Sequence, residues 1–335
     1  MARSYGYTVA RLKAMENRLL DESAFLRLAD SPTLEAALKT LGETSYGSAL
    51  GELKNPLHFD KALDGELAAT YAELATFVPD EELLSLSRLL YDIHNAKTVL
   101  KGRALASRGG SRRLDLLTNL GAIDAEELTL ALEGDEFGRL PKGLGDGLRK
   151  AYEAVEGDEN WRAFEGAVDG LYYAELLALA QSLDVPLVEE WAKARIDGDN
   201  LKTMLRLSRM RDSDLSLRDY LYEGGNLSLA QLEALNAEPI ENWSRLLGNT
   251  AWGELLAPFA EGGDFAAKLG AFEKGLDDAL TTLLDSSRYD PFGPANVTRY
   301  LWAKEMEVKN LRLVLVALSS GVKTEKIREV LRRVR

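Results

Sequence analysis

The chain has 335 residues, of which 46% are hydrophobic, so it is long enough and apolar enough to bury a sizeable core. Its formal net charge of −13 argues against a nucleic-acid-binding protein, which needs a concentrated Lys/Arg surface to neutralise phosphates. The sequence contains no cysteine, which excludes a disulfide framework, a thiolate nucleophile and a sulfur-ligated metal site.

The first segment, Met1 to Leu20, is predicted to form an amphipathic helix. It lacks an uninterrupted apolar stretch of signal-peptide length, because Glu16 and Asp21 intrude. Elsewhere no window approaches the roughly 18 apolar residues that a bilayer-spanning helix needs. We therefore expect a protein that is soluble or peripheral to a membrane.

Helical spacing of apolar residues runs through nearly every segment, while the sustained alternation that is typical of strands is absent. We predict an all-α fold. Three start signals support it, each with a capping residue or a proline in the first turn: Ser31-Pro32, Asp124 with Glu127, and Ser228 with Gln231. Loops rich in Gly or Pro separate the predicted helices at 107–111, 224–225 and 291–294.

Three long helices are predicted, and each carries the same short motif: an acid, two residues, an asparagine, a small or apolar residue and a cation. The helices are Asp80 to Ala106, Leu187 to Met210 and Asn296 to Ser319. The motif copies are Asp92, Asn95 and Lys97; Asp197, Asn200 and Lys202; and Glu307, Asn310 and Arg312. The asparagines are 105 and then 110 residues apart (200 − 95 and 310 − 200), close to one third of the chain.

This period predicts a triplicated helical subdomain, with repeats at residues 1–110, 111–215 and 216–335. Packing of the C-terminal end of the chain near the first repeat is compatible with this division. A second signal precedes each motif copy in the same order, an aromatic residue followed by glycine: Tyr46-Gly47, the weaker Phe137-Gly138, and Trp252-Gly253. The aromatic residue leads the asparagine by 49, 63 and 58 residues.

The acid and the asparagine of each motif copy share one face of the helix, because they are three residues apart, whereas the cation lies well round the axis. We favour a structural role for this pair, as a hydrogen-bonded clamp between helices or onto a loop backbone. Direct contact with a bound partner is the alternative. Three leucines, each five residues beyond the asparagine, are predicted core positions: Leu100, Leu205 and Leu315.

Catalytic and cofactor-binding signatures are missing from the sequence. The two histidines, His58 and His94, belong to no zinc or di-iron pattern, and the stretch from Gly321 to Thr324 lacks the upstream glycine of a P-loop. The glycine-rich stretch from Lys142 to Gly147 follows no strand, and we assign it to a loop between helices. We expect no catalytic residue, no metal, no cofactor and no direct nucleotide binding.

The last predicted helix, Lys323 to Arg335, is basic, with six cations against two acids. Cations near a helix C-terminus complement the helix dipole, so a solvated basic face is one interpretation. Docking on an acidic partner is the other.

These features together resemble a known family. The opening segment from Tyr5 to Leu20, the Thr44-Ser45-Tyr46-Gly47 turn, the two Asp-x-x-Asn-[Ala/Leu]-Lys helices and the closing helix with Glu307 and Asn310 resemble the C subunit of the archaeal and bacterial V/A-type ATP synthases, the homologue of the d subunit of eukaryotic vacuolar ATPases. Each motif alone is only moderately specific. Their order, the triplication and the total length agree with the family over essentially the whole chain.

The resemblance implies a funnel of three similar helical subdomains with approximate three-fold symmetry. It also implies a non-catalytic central-stalk protein, peripheral to the cytoplasmic face of the membrane, that couples the shaft formed by the D and F subunits to the membrane proteolipid ring. Such a protein transmits torque for ATP-linked transport of protons or sodium ions. We assign the motif residues to shaping the repeat rather than to chemistry; the third copy departs from the pattern at Glu307 and Arg312.

Two other classes of protein remain open from the sequence. A free-standing helical scaffold that binds a cytosolic protein would share the fold, the charge and the lack of catalytic residues. A helical-bundle enzyme would need a constellation of carboxylates or cofactor ligands that the sequence does not display.

Overall fold

A computed structural model describes residues 5–154, 161–210 and 217–335. These residues are 75% helical and contain no strand. The predicted all-α class is confirmed. Within the same residues, no helix is long and apolar enough to cross a bilayer.

The helices are numbered in chain order. The chain begins with α1 (Gly6–Met15), α2 (Glu22–Ala29), α3 (Leu34–Leu41), α4 (Gly47–Gly51), α5 (Phe59–Ala75) and α6 (Glu81–Ala106). It continues with α7 (Ala125–Glu133), α8 (Lys142–Glu153), α9 (Trp161–Ser182), α10 (Pro186–Leu207) and α11 (Leu229–Asn236). It ends with α12 (Ile240–Leu247), α13 (Ala251–Leu256), α14 (Phe265–Asp285), α15 (Ala295–Ser319) and α16 (Thr324–Val330).

The chain forms two compact units. The first consists of Met1–Leu84 together with Ile240–Arg335, and the second of Ser85–Pro239. Division into three repeats remains a prediction, and its boundary at residues 215 and 216 lies outside the described residues.

Short polar side chains begin several helices by accepting hydrogen bonds from free backbone N–H groups of the first turn. Asp124 caps α7 in this way, and Ser228 forms a full capping box with Gln231 at α11, as predicted. The predicted start at Pro32 is wrong by two residues. Thr33 is the N-cap of α3, because its hydroxyl accepts from the N–H of Ala36, so the proline precedes the helix.

The helices α6, α10 and α15 carry the three motif copies, and their ends lie within three residues of the predicted ends. The helix α15 packs against α1, α2, α3, α5 and α14 and forms the centre of the first unit. All three predicted core leucines are fully buried: Leu100, Leu205 and Leu315.

Three stretches differ from their predicted structure. The N-terminal helix predicted over Met1 to Leu20 ends earlier, because α1 stops at Met15 and a short 3-10 helix follows at Glu16–Arg18. The stretch from Lys142 to Gly147 begins α8 rather than forming a loop. Its glycines permit close packing on α9, since a side chain at Gly147 would overlap Leu171. The last helix, α16, ends at Val330 instead of continuing to Arg335. Residues 331–335 leave the helix, and their backbone bonds instead to Asn310 of α15 through Arg332 and to Asp278 of α14 through Arg333.

Candidate functional site

The asparagine of each motif copy holds the backbone of one residue 22 or 23 positions downstream. The side-chain amide donates to the carbonyl oxygen of that residue, and the side-chain oxygen accepts from its N–H. The pairs are Asn95 with Thr118 (2.8 and 2.9 Å), Asn200 with Tyr222 (2.8 and 2.9 Å), and Asn310 with Arg332 (2.8 and 2.8 Å). Each asparagine is fully buried, so this backbone clamp also satisfies the asparagine's own polar atoms.

In the first two copies, the motif acid accepts hydrogen bonds from the segment that the asparagine also binds, four or five residues later along it, just before a short helix begins. The bonds run to Asp92 from the N–H of Ala122 (3.1 Å) and Ile123 (3.0 Å), and to Asp197 from the N–H of Asn226 (3.0 Å) and Leu227 (2.9 Å). The next residues in the chain, Asp124 and Ser228, are the N-caps of α7 and α11. The motif acid therefore anchors the start of the following short helix.

A glycine lies against each of these two carboxylates. A side chain at Gly121 would overlap Asp92, and one at Gly225 would overlap Asp197. Our sequence-based prediction missed these partner segments. Both segments share a sequence pattern that identifies them: a glycine, any residue, an apolar residue and a helix N-cap. The glycine follows the motif acid by 29 residues in the first copy (121 − 92) and by 28 in the second (225 − 197).

Glu307 makes contacts that differ from those of its two counterparts. Its carboxylate accepts from the backbone N–H of Leu20 and from the Tyr46 hydroxyl (2.7 Å), and it pairs with the Lys304 ammonium (2.7 Å). Leu20 directly precedes Asp21, the N-cap of α2. The third acid therefore also anchors the start of a short helix, but that helix belongs to the N-terminal part of the chain.

Burial sets the electrostatics of these carboxylates. Asp92 is 3% exposed, and its burial raises its pKa to about 6, although its two backbone N–H donors oppose this shift. Burial and the Glu307 carboxylate raise the pKa of the Tyr46 hydroxyl well above its ordinary value, so this hydroxyl stays protonated and donates. Lys304 balances the interior charge by pairing with both Glu307 and Glu66 (3.1 Å).

The motif cations pair with carboxylates other than the motif acids. Lys97 pairs with Asp169 (2.6 Å) and Glu165 (2.7 Å), Lys202 with Asp199, and Arg312 with Asp60 (2.7 Å) and Asp64 (2.9 Å). The Arg312 side chain is 44% exposed, and ion pairs at such sites contribute little to stability. The cation is thus not part of the backbone clamp.

The first and third aromatic-glycine pairs lie at the starts of short helices, α4 and α13. A side chain at Gly47 would overlap the carbonyl oxygen of Gly42, and one at Gly253 would overlap that of Gly248. At both helix starts the glycine allows the backbone to approach the residue five positions earlier.

The aromatic residues of the three pairs have different surroundings. Tyr46 is fully buried and reaches Glu307, so the structure joins this pair to the third motif copy. Trp252 is half-buried. Phe137 is buried, but Gly138 has open space around it, so the middle pair lacks the close backbone approach of the other two.

Arginines of the basic C-terminal stretch have partners within the chain. Arg328 pairs with Asp30 (2.6 Å), Arg332 with Asp277 (3.1 Å), and Arg333 with Asp285 (2.6 Å). These ion pairs attach α16 and residues 331–335 to α2 and α14, an arrangement that neither interpretation of the basic sequence anticipated.

The motif residues form a set of hydrogen bonds that hold backbone segments in place. Within the described part of the chain, no group of His, Asp and Glu side chains is arranged to hold a metal ion. His94 is exposed, and its Nε2 lies 2.9 Å from the carbonyl oxygen of Leu116.

Comparison with known proteins identifies the family of this chain. A sequence profile described as ATP synthase (C/AC39) subunit matches residues 8–330. The chain belongs to this family. The resemblance to the C subunit of the V/A-type ATP synthases is thereby confirmed, and all three motif copies lie inside the matched range.

Individual A-type ATP synthase C subunits match nearly the whole chain. The C subunit of the A-type ATP synthase of Methanocaldococcus jannaschii is 29% identical over 347 residues, which cover 98% of this chain and 86% of the relative. The corresponding protein of Thermococcus onnurineus is 27% identical over 343 residues, with 97% and 89% covered. That of Halorubrum lacusprofundi is 28% identical over 334 residues, with 96% and 95% covered.

Proposed function

We propose that this chain is a non-catalytic central-stalk subunit of a rotary V/A-type ATPase or ATP synthase. On this proposal it couples the shaft formed by the D and F subunits to the membrane proteolipid ring and transmits torque for ATP-linked transport of protons or sodium ions. It lies on the cytoplasmic face of the membrane. The family match over residues 8–330 is the observation that carries the proposal.

The backbone clamps support a torque-transmitting role on physical grounds. A coupling element must be stiff, because a soft one would absorb rotation as its own deformation. Each clamp ties a long helix to a segment 22 or 23 residues away through a fully buried asparagine. Buried polar networks whose members are all satisfied make a fold rigid, and densely packed helices resist compression.

The same contacts support a structural role for the motif. The asparagine and the acid of every copy bond to the chain's own backbone, and each acid anchors the start of a short helix. We therefore propose that the motif residues shape three similar repeats, and that these repeats form the funnel that the family resemblance implies.

An affinity pull-down tests the proposed function. The tagged full chain is expressed in its own source, membranes are solubilised in detergent, and co-eluting proteins are identified by mass spectrometry. We expect the D and F subunits and the ring proteolipid at stoichiometric levels. Recovery of soluble proteins only, without any ATPase component, would overturn the proposal and favour the free-standing scaffold.

A further inference from the structure

The helix α15 holds two separate chain segments where α6 and α10 each hold one continuous segment. The two residues bound by the asparagine and by the acid are Thr118 and Ile123 on α6, Tyr222 and Leu227 on α10, and Arg332 and Leu20 on α15. The first two pairs are each five residues apart (123 − 118 and 227 − 222), whereas the third pair is separated by 312 residues (332 − 20).

The register of the contacts is nevertheless the same on all three helices. In every case the residue held by the acid immediately precedes the N-cap of a short helix: α7, α11 and α2. On α6 and α10 one continuous stretch of chain occupies this position. On α15 two stretches therefore share it, residues 331–335 and residues 19–21. We call residues 331–335 the C-terminal strap.

The strap is held from two sides by different kinds of contact. Toward α15, the Asn310 clamp holds the Arg332 backbone, and Val334 is 7% exposed. Toward α14, the N–H of Arg333 donates to Asp278 (2.6 Å). The Arg333 side chain is 47% exposed, so solvent screens its ion pair, whereas the Arg332 side chain is 9% exposed and pairs with Asp277 of α14 (3.1 Å).

The strap and the segment that completes its place both line an open cavity of about 410 Å³. Leu20, Asp21 and Phe25 line it from the N-terminal segment, and residues 331–335 line it from the strap. Water can enter an open space of this size, so the side chains that line it contact solvent there instead of one another. The two halves of the split segment consequently stabilise each other less than neighbouring residues of one continuous stretch.

We infer that the C-terminal strap is a latch that opens locally while the clamps of α6 and α10 stay closed. On α6 and α10 the asparagine and the acid hold one short stretch, so neither contact can be lost without straining the other. On α15 the strap can leave Asn310 while Leu20 remains bound to Glu307. This inference does not depend on the proposed function, and its test needs no partner protein.

Residue-resolved hydrogen exchange on the full chain tests the latch. One net hydrogen bond contributes about 1 kcal/mol, so the loss of mutual support should raise the opening constant roughly five- to tenfold. We expect the Arg332 amide to have a protection factor lower than that of the Tyr222 amide by this amount, and to exchange at a rate independent of low concentrations of denaturant. Equal protection of the two amides, or parallel dependence on denaturant, would overturn the inference.

A surface substitution provides a second test that leaves the core intact. Arg328 pairs with Asp30 on an exposed surface and attaches α16, which leads into the strap. Arg328→Gln is expected to raise the exchange rate of the Arg332 amide about threefold, because this is the size of effect that the loss of an exposed ion pair produces. The exchange rate of the Tyr222 amide should not change. The matched control is Arg139→Gln, which removes an exposed ion pair with Glu136 in the second unit. If the exchange rate of the Arg332 amide rose no more in R328Q than in R139Q, this result would contradict the latch.

Discussion

Replacing Asn200 with Ala removes both hydrogen bonds of the middle backbone clamp. The Tyr222 N–H and carbonyl oxygen, now bonded to Asn200 at 2.9 and 2.8 Å, lose their partner in a part-buried position. Each hydrogen bond contributes about 1 kcal/mol net, and a buried group left unsatisfied costs about 1–3 kcal/mol. We therefore expect the free energy of unfolding to fall by about 2–4 kcal/mol.

Urea denaturation followed by far-UV circular dichroism measures this loss. The midpoint should fall while the slope m stays constant, because the substitution exposes no additional surface on unfolding. The matched control is Asn236→Ala at the exposed end of α11, which should change the free energy of unfolding by no more than about 0.5 kcal/mol. The substitution Asn95→Ala should behave like Asn200→Ala, since the two clamps have the same geometry. Asn310→Ala should lower the free energy of unfolding less, because the C-terminal strap that Asn310 holds opens locally.

Affinity for a purified complex of the D and F subunits separates the structural role from a contact role. The three alanine variants, measured under conditions in which they are folded, should bind this shaft with affinities close to that of the unmodified chain. Unchanged unfolding free energy combined with lost binding would refute the reasoning and place the asparagines at a partner interface.

Three further perturbations address the acid, the glycine and the cation of the motif. Burial raises the pKa of Asp92 to about 6, so the folded chain binds the Asp92 proton more tightly than the unfolded chain does. This proton therefore adds about 3 kcal/mol to the free energy of unfolding below pH 4, and the gain is lost as pH rises through 6. Asp92→Asn should remove this part of the pH dependence in urea titrations at pH 4 to 7. Gly225→Ala should cost about 1–3 kcal/mol in unfolding free energy, because the methyl group overlaps the Asp197 carboxylate, and a loss no larger than that of Gly262→Ala, where space is open, would contradict this packing. Arg312→Gln should lower the thermal midpoint by an amount equivalent to less than about 1 kcal/mol, and a larger loss that persists in 1 M salt would show that the cation has a buried role.

The prediction of helices from the sequence succeeded where apolar spacing was long and regular. The motif helices were placed within three residues at each end, because a buried face that recurs every three or four residues leaves few alternatives. The prediction failed in α8, where three alternate glycines resembled a loop. Contact with α9 stabilises this helix against the low helical propensity of glycine, and tertiary contacts of this kind leave no local signal.

The sequence predicted that the motif binds backbone groups, but it did not predict which residues they belong to. The pairing of acid and asparagine on one face predicted a clamp onto backbone, and the structure shows such bonds at all three copies. The bonded residues themselves lie 22 or 23 positions away, beyond any helical or strand period. Their position depends on how the connecting segment folds back along the helix.

The contacts of Glu307 show most clearly which features the sequence determines and which ones only the tertiary structure determines. The sequence alone determined the all-α class, the threefold recurrence of the motif and the family, because these depend on local spacing and on residue identity along the chain. Only the tertiary structure decided that Glu307 holds Leu20, 287 residues away, while Asn310 holds the C-terminal strap. Contacts between distant segments form when packing brings them together, and no pattern within either segment encodes that meeting.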